Sequence, residues 1–335
     1  VKQLIADFSA HLKQALETIQ ETEMVPAKRD IHNVLILGLG GSGIGGSIIS
    51  DLLRKQSKVP VNVNKGYVLP GYVNEHTLVI TCSYSGNTEE TLTAAISALN
   101  KKAMMACITS GGELKELARR EKLNVLSMEG GNPPRSMFGY PFAFLLYLME
   151  YYGIGNVDHK KDLHEAISIL DNNESDTKAQ AEEMAKTLRG KTVHLLATDG
   201  NLAVASRMRQ QLNENAKMLC WESEIPEMNH NELVGWEGGS NDFAALFLRN
   251  DNDYKRNQKR IEIVKDIIIQ KTDTVIELWS KGESAIARAA YLVHFGDWVS
   301  YYLSELNEVD IIDIKSIDRL KSELSKVPFG TEDEE

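Results

Sequence analysis

Apolar residues fall into two kinds of pattern that alternate along most of the chain. Residues 2–23 carry Leu4, Ile5, Phe8, Leu12, Ala15, Leu16 and Ile19 at helical spacing, and Pro26 marks the boundary that follows. Beyond it, apolar runs too short for helices are bounded by turn residues and predict buried strands at 34–37, 59–63, 78–81, 104–108 and 125–126. Between them, 44–53, 89–99 and 113–120 carry helical patterning. Residues 136–152 are apolar and predict a helix, while 158–189 are polar and predict bridging helices with a break at 171–176. A second alternation follows, with strands at 193–197, 218–221, 243–248 and 275–278 and helices at 202–212, 258–269, 283–306 and 316–324. Such a succession predicts an α/β fold, with mainly parallel sheets flanked by helices. The architecture is used twice without a residue-level repeat, so two domains are expected, 1–153 and 154–335.

The glycine-rich stretch at 38–50, GLGGSGIGGSIIS, sits where the first strand turns into the first helix of this alternation. Glycine permits positive φ and lets another molecule approach the backbone. A helix start offers unpaired N–H groups and the positive end of a dipole. The stretch therefore reads as an anion site, best suited to a phosphate, without saying which phosphate compound. Gly38, Gly40 and Gly43 also match the dinucleotide fingerprint G-x-G-x-x-G. The corresponding turn of the second half, Thr198-Asp199-Gly200, lacks this glycine richness, so one phosphate site per chain is expected, in the first half.

Composition narrows the choice. A net charge of −11 argues against nucleic-acid binding. Part of the acid lies at 332–335, read as a solvated, disordered end. Cys82, Cys107 and Cys220 sit in or beside apolar runs and read as small buried hydrophobes, which fits a reducing, cytoplasmic setting. No apolar run reaches membrane-spanning length, and no signal-peptide pattern is seen at the start. The histidines form no metal-binding spacing, so no metal is expected.

A second loop, Ser83-Tyr84-Ser85-Gly86-Asn87-Thr88, also follows a strand and precedes a helix. A single hydroxyl there would be an ordinary helix cap. Three within six residues exceed that need. Ligands of open α/β sheets bind at the carboxyl ends of strands, so both loops can converge on one anion.

The pairing of GLGGSG with SYSGNTEET resembles the sugar isomerase (SIS) domain family. Further matches are to its bifunctional phosphoglucose/phosphomannose isomerases: Asn132-Pro133-Pro134-Arg135 before a helix, the run QLNENAK at 211–217, PEMNHNE at 226–232, and the segment from Gly296-Asp297-Trp298 to Leu320-Lys321. The resemblance covers about residues 30–326. It implies two SIS-type domains and an aldose–ketose isomerase that needs no cofactor. It also implies that Gly40, Gly41 and Ser42 line the sugar site and that Ser83, Ser85 and Thr88 hold the phosphate. Arg135 is then the active-site arginine, Glu214 the base, His230 the ring-opening residue and Lys321 the C-terminal lysine, with Lys315 close by as its competitor. Across the family the histidine can come from the neighbouring subunit, which implies a homodimer.

These residue types suit the reaction. Moving a proton between C1 and C2 needs one base, and a carboxylate serves if burial raises its pKa. Ring opening suits a histidine, which titrates near neutral pH. The enediolate intermediate gathers negative charge that an arginine can face. A nicotinamide-dependent oxidoreductase is the competing class, but its fingerprint wants a carboxylate about twenty positions on. Residues 61–65 read VNVNK, where only Lys65 could meet a 2′-phosphate. A non-catalytic sugar-phosphate sensor is the third class; the complete acid–base set speaks against it.

Overall fold

The structure is a computed structural model describing residues 1–327; the acidic end at 332–335 lies outside the described residues. The chain opens with α1 (Lys2–Ala6) and α2 (Phe8–Glu21), two helices where the spacing predicts one. They part at Asp7, whose φ −77° and ψ 6° leave the helical region. The first sheet and its helices follow as β1 (Asn33–Leu37), α3 (Gly40–Leu53), β2 (Val61–Asn64), β3 (Thr77–Cys82), α4 (Glu89–Asn100), β4 (Met104–Thr109), α5 (Gly112–Arg120) and β5 (Asn124–Ser127). A 3₁₀ turn at Pro134–Ser136 leads into α6 (Gly139–Tyr151), and α7 (His159–Leu188) crosses to the second half. There the order is β6 (Thr192–Thr198), α8 (Leu202–Ala216), β7 (Cys220–Ile225), the one-turn α9 (Glu232–Gly235) between 3₁₀ turns, β8 (Phe243–Arg249), α10 (Lys255–Ile268), β9 (Val275–Trp279), α11 (Ala285–Leu306) and α12 (Lys315–Leu324).

Both sheets are parallel throughout. The first runs β2-β1-β3-β4-β5 and the second β7-β6-β8-β9. In each, the earliest strand lies inside, with the next strand on one side and the third on the other. That reversal of direction, at β1/β3 and at β6/β8, opens a crevice at the carboxyl edge.

Alternate residues of each strand serve different cores, as the two-residue period requires. Val34 and Ile36 of β1 join Val193, Leu195 and Ala197 of β6 in one large cluster that also takes in Ile48, Leu145, Met208 and Trp298. The two halves therefore share an interior, built from α3, α6, α8 and α11. Leu35 and Leu37 instead face a separate cluster under α4 and α5, and Leu196 and Phe247 one under α10.

The predicted break at 171–176 does not occur: α7 is a single 30-residue helix. Its buried stripe, Leu163, Ala166, Ile167, Leu170, Thr177, Ala181, Ala185 and Leu188, runs through the polar segment. The Asn173 amide there donates to the Ile169 carbonyl at 2.8 Å, within the helix, rather than opening a turn. Asp158 caps the start by accepting from the Lys161 N–H at 3.0 Å. The third departure is α8, which runs four residues past its predicted end. Lys217 then adopts a left-handed conformation (φ 56°) and delays β7 to Cys220. Among the described residues no helix is long and apolar enough to cross a membrane.

Candidate active site

The turn after β1 is tighter than the sequence alone indicates. α3 begins at Gly40, so the glycines form its first turn instead of preceding it. A Cβ on Gly43 would lie 2.2 Å from the Gly38 carbonyl oxygen, a separation no side chain tolerates. No side chain caps this helix start. Ser42 turns its hydroxyl sideways instead and accepts from the Tyr84 N–H at 3.1 Å, joining the first loop to the second.

The loop after β3 is held rigidly. Ser110 donates to the Tyr84 carbonyl through both its hydroxyl (2.6 Å) and its N–H (3.0 Å). Gly86 has φ +71°, and a Cβ there would sit 1.8 Å from the Gly111 carbonyl oxygen. The hydroxyls of buried Ser83 and half-buried Thr88 lie 3.0 Å apart. Ser83 also accepts from the Gly86 N–H at 3.1 Å, and exposed Ser85 accepts from the Asn87 N–H at 3.2 Å. Thr88 occupies the cap position of α4 but makes no capping bond. The bland reading of these hydroxyls as helix caps therefore fails at the position where it should hold best.

Tyr84 carries the connection onward. Its hydroxyl accepts from the Asn132 N–H at 3.0 Å and fixes the segment that leads to Arg135. The backbone of Arg135 lies against the glycine turn: a Cβ on Gly41 would meet the Arg135 Cα at 3.4 Å. Its guanidinium, 4% exposed, donates to three acceptors from distant parts of the chain. Nε reaches Asn215 Oδ1 at 2.7 Å, Nη1 reaches Glu214 Oε1 at 2.9 Å, and Nη2 reaches the Ile311 carbonyl at 2.6 Å. The Glu214 side chain remains 30% exposed. Lys217 Nζ donates to the Glu214 carbonyl at 2.6 Å, and burial, with Arg135 next, holds its ammonium below the usual lysine range.

Residues 29–149 match the SIS domain, and residues 177–324 match the bacterial phospho-glucose isomerase C-terminal SIS domain. A bifunctional phosphoglucose/phosphomannose isomerase of Caldicellulosiruptor bescii is 37% identical, over 96% of this chain and 98% of that protein. This chain belongs to the bifunctional phosphoglucose/phosphomannose isomerase family. A family member of the same name from Aquifex aeolicus is 36% identical, over 88% of this chain and 90% of its own length. The crystal structure of a hypothetical protein from Thermus thermophilus shares the fold, with a TM-score of 0.78 at 16% identity, over 97% of this chain and 90% of that one.

Within this family framework, the chain brings together only part of the set the motifs name. The glycine turn, the hydroxyl loop, Arg135 and Glu214 converge. His230 does not. Glu214 lies two residues before the end of α8, at the amino edge of the second sheet, whereas His230 is exposed in the turn beyond the carboxyl end of β7. The six residues of β7 set them apart by roughly 20 Å of strand. Lys321 is exposed on α12, which buries no residue, and makes no hydrogen bond or ion pair with Arg135 or Glu214. Its competitor Lys315 pairs with Asp313 at 2.8 Å.

Four supporting residues carry no role in the sequence reading. Asn215 is fully buried; besides holding Arg135 it donates to Ser300 Oγ at 2.9 Å. Ser300 in turn donates to the Asp297 carbonyl at 2.7 Å. Arg207, 1% exposed, donates to the Arg135 carbonyl at 2.6 Å and pairs with buried Asp297 at 3.1 Å. One signal was available: Arg207, Gln211 and Asn215 recur at i, i+4 and i+8, a polar file on the buried side of α8.

Proposed function

We propose that this chain interconverts glucose 6-phosphate and mannose 6-phosphate with fructose 6-phosphate. The observation that carries the reading is the 2.9 Å contact between buried Arg135 and half-buried Glu214, beside an uncapped glycine turn and a loop whose hydroxyls do not cap α4. Ser83, Ser85 and Thr88 take the phosphate, and Gly40, Gly41 and Ser42 lie along the sugar. Glu214 removes the proton from one of C1 and C2 and returns it to the other. Arg135 faces the enediolate, and its fixed guanidinium needs no rearrangement as that charge develops. His230 moves the proton from O1 to O5 that opens the ring, and Lys321 completes the site. No step in this scheme calls on a metal or redox cofactor.

The working unit in this reading is a homodimer. The length of β7 between Glu214 and His230 supports a histidine supplied by the second copy. α12 supports it too, because Ile317, Leu320 and Leu324 are exposed along one side of that helix. The halves 1–153 and 154–335 act as its two domains. Free Cys82 and Cys107 fit a cytoplasmic setting.

The test is product analysis by NMR after incubation with fructose 6-phosphate in EDTA. Both aldose phosphates are expected. Glucose 6-phosphate alone would narrow the specificity, and binding without turnover would favour a sensor.

A further inference from the structure

The second sheet has its own crevice at the β6/β8 reversal, and it holds a cavity of about 560 Å³. That lies within the range of roughly 300–1,000 Å³ typical of small-molecule sites. The turn at 199–201 after β6, the loop at 250–254 after β8 and the first turns of α10 line it. By strand order, β8 corresponds to β3 and α10 to α4, so residues 250–254 stand where the hydroxyl loop stands in the first half. Asn250 directly follows its strand, as Ser83 does.

Asn250 lines the cavity at 2% exposure, and neither atom of its side-chain amide has a hydrogen-bond partner. Its backbone N–H donates to Asp253 at 3.2 Å, and the amide lies beside that carboxylate without an ordinary bond to it. A buried amide without partners costs stability unless something arrives to bond it. Arg256 and Arg260 also line the cavity, one turn apart on α10, and neither makes an ion pair or side-chain hydrogen bond among the described residues. α10 carries no side-chain cap. The start of α8, by contrast, is already occupied: the Ala203 N–H donates to Asp51 Oδ2 at 3.0 Å. An anion entering this cavity meets two unpaired arginines and one free helix start on the α10 side, while Arg54 and Lys55 line it from the end of α3 and Arg288 from α11. Carboxylates Asp199 and Glu224 line the same space and suit hydroxyl groups as acceptors.

We propose that this cavity is a second sugar-phosphate site, with the phosphate against Arg256, Arg260 and the start of α10, and the sugar hydroxyls against Asn250, Asp199 and Glu224. It rests on the reading of the first pocket as a sugar-phosphate site. It has no counterpart of the Arg135–Glu214 contact, so it binds without turnover.

Equilibrium dialysis of the full chain against labelled fructose 6-phosphate tests this, because interconversion does not alter the count of bound sugar phosphate. Two molecules per chain are expected. Arg256→Ala with Arg260→Ala should leave one, or weaken the second by about tenfold or more. Ser83→Ala with Ser85→Ala and Thr88→Val should remove the other. A wild-type count of one that the arginine changes leave untouched, in number and affinity, overturns the second site and leaves the first intact. A count lowered by the arginine changes and unmoved by the hydroxyl changes leaves the second site standing and overturns the first.

Discussion

The carboxyl edges of the two sheets have the same topology and opposite furnishings. Two helices tie them together crosswise. α3 starts at the first edge and ends beside the second, while α8 starts at the second and ends beside the first. Each delivers a carboxylate near its end to the other half: Glu214 from α8 and Asp51 from α3. Their fates differ. Asp51 caps α8 and approaches Arg54 only at 3.7 Å, so its role is structural. Glu214 meets a fully fixed guanidinium and stays partly open. The fold places a carboxylate at both edges; in the proposed mechanism the neighbouring arginine decides which one does the chemistry.

The sharpest test of that contrast exchanges each carboxylate for its amide. Glu214→Gln should lower kcat by about 10²–10⁴-fold, with sugar-phosphate binding within a few-fold of wild type. Asp51→Asn should change kcat by no more than a few-fold. Burial holds the Asp51 carboxyl above the usual range, so its charged form costs stability at neutral pH. The neutral amide keeps an acceptor for Ala203, so Tm should stay level or rise. Equal losses of turnover in the two variants would end the comparison.

Arg135→Lys comes next. A lysine ammonium cannot serve Asn215, Glu214 and Ile311 in the fixed geometry of a guanidinium. Steady-state kinetics should show a kcat loss of about 10²–10³-fold. A milder effect is expected from Ser83→Ala with Ser85→Ala, which removes contacts made equally in ground and transition states: KM should rise about tenfold at nearly constant kcat. The smallest effect concerns stability. His194 is buried in the second sheet between Trp221 and Trp236, and burial lowers its pKa to about 4. The unfolded chain therefore takes up this proton first, and stability present above pH 6.5 is lost as pH falls toward 4. Thermal melts should show wild type losing about 3 kcal/mol more over that window than His194→Phe.

Most of the architecture was legible because buried parallel strands are short apolar runs between turn signals. β3, with all six residues buried, is the clearest case. Where the reading failed, long-range packing overrode local chemistry. The polar residues 171–176 look like a break, yet the buried stripe on either side carries α7 through them. In the site, Arg135, Glu214 and the hydroxyl loop were visible as motifs. Asn215, Arg207 and Asp297 were quoted only as parts of segments, or not at all. Their roles come from contacts across 72 to 90 positions, which no local spacing encodes.

Arg135 also works as a checkpoint on assembly. Its three acceptors come from α8 and from the stretch just before α12, so the guanidinium is complete only after almost the whole chain has been made and docked. The bonds that join the glycine turn to the hydroxyl loop, and that loop to β4, lie within the first half. That half lacks Glu214 and Asn215 until α8 follows, and the third acceptor of Arg135 until the stretch before α12 arrives. The proposed site is therefore completed in two late steps, and a chain clipped before Ile311 keeps the α8 acceptors of Arg135 but loses one of the three bonds that fix its guanidinium.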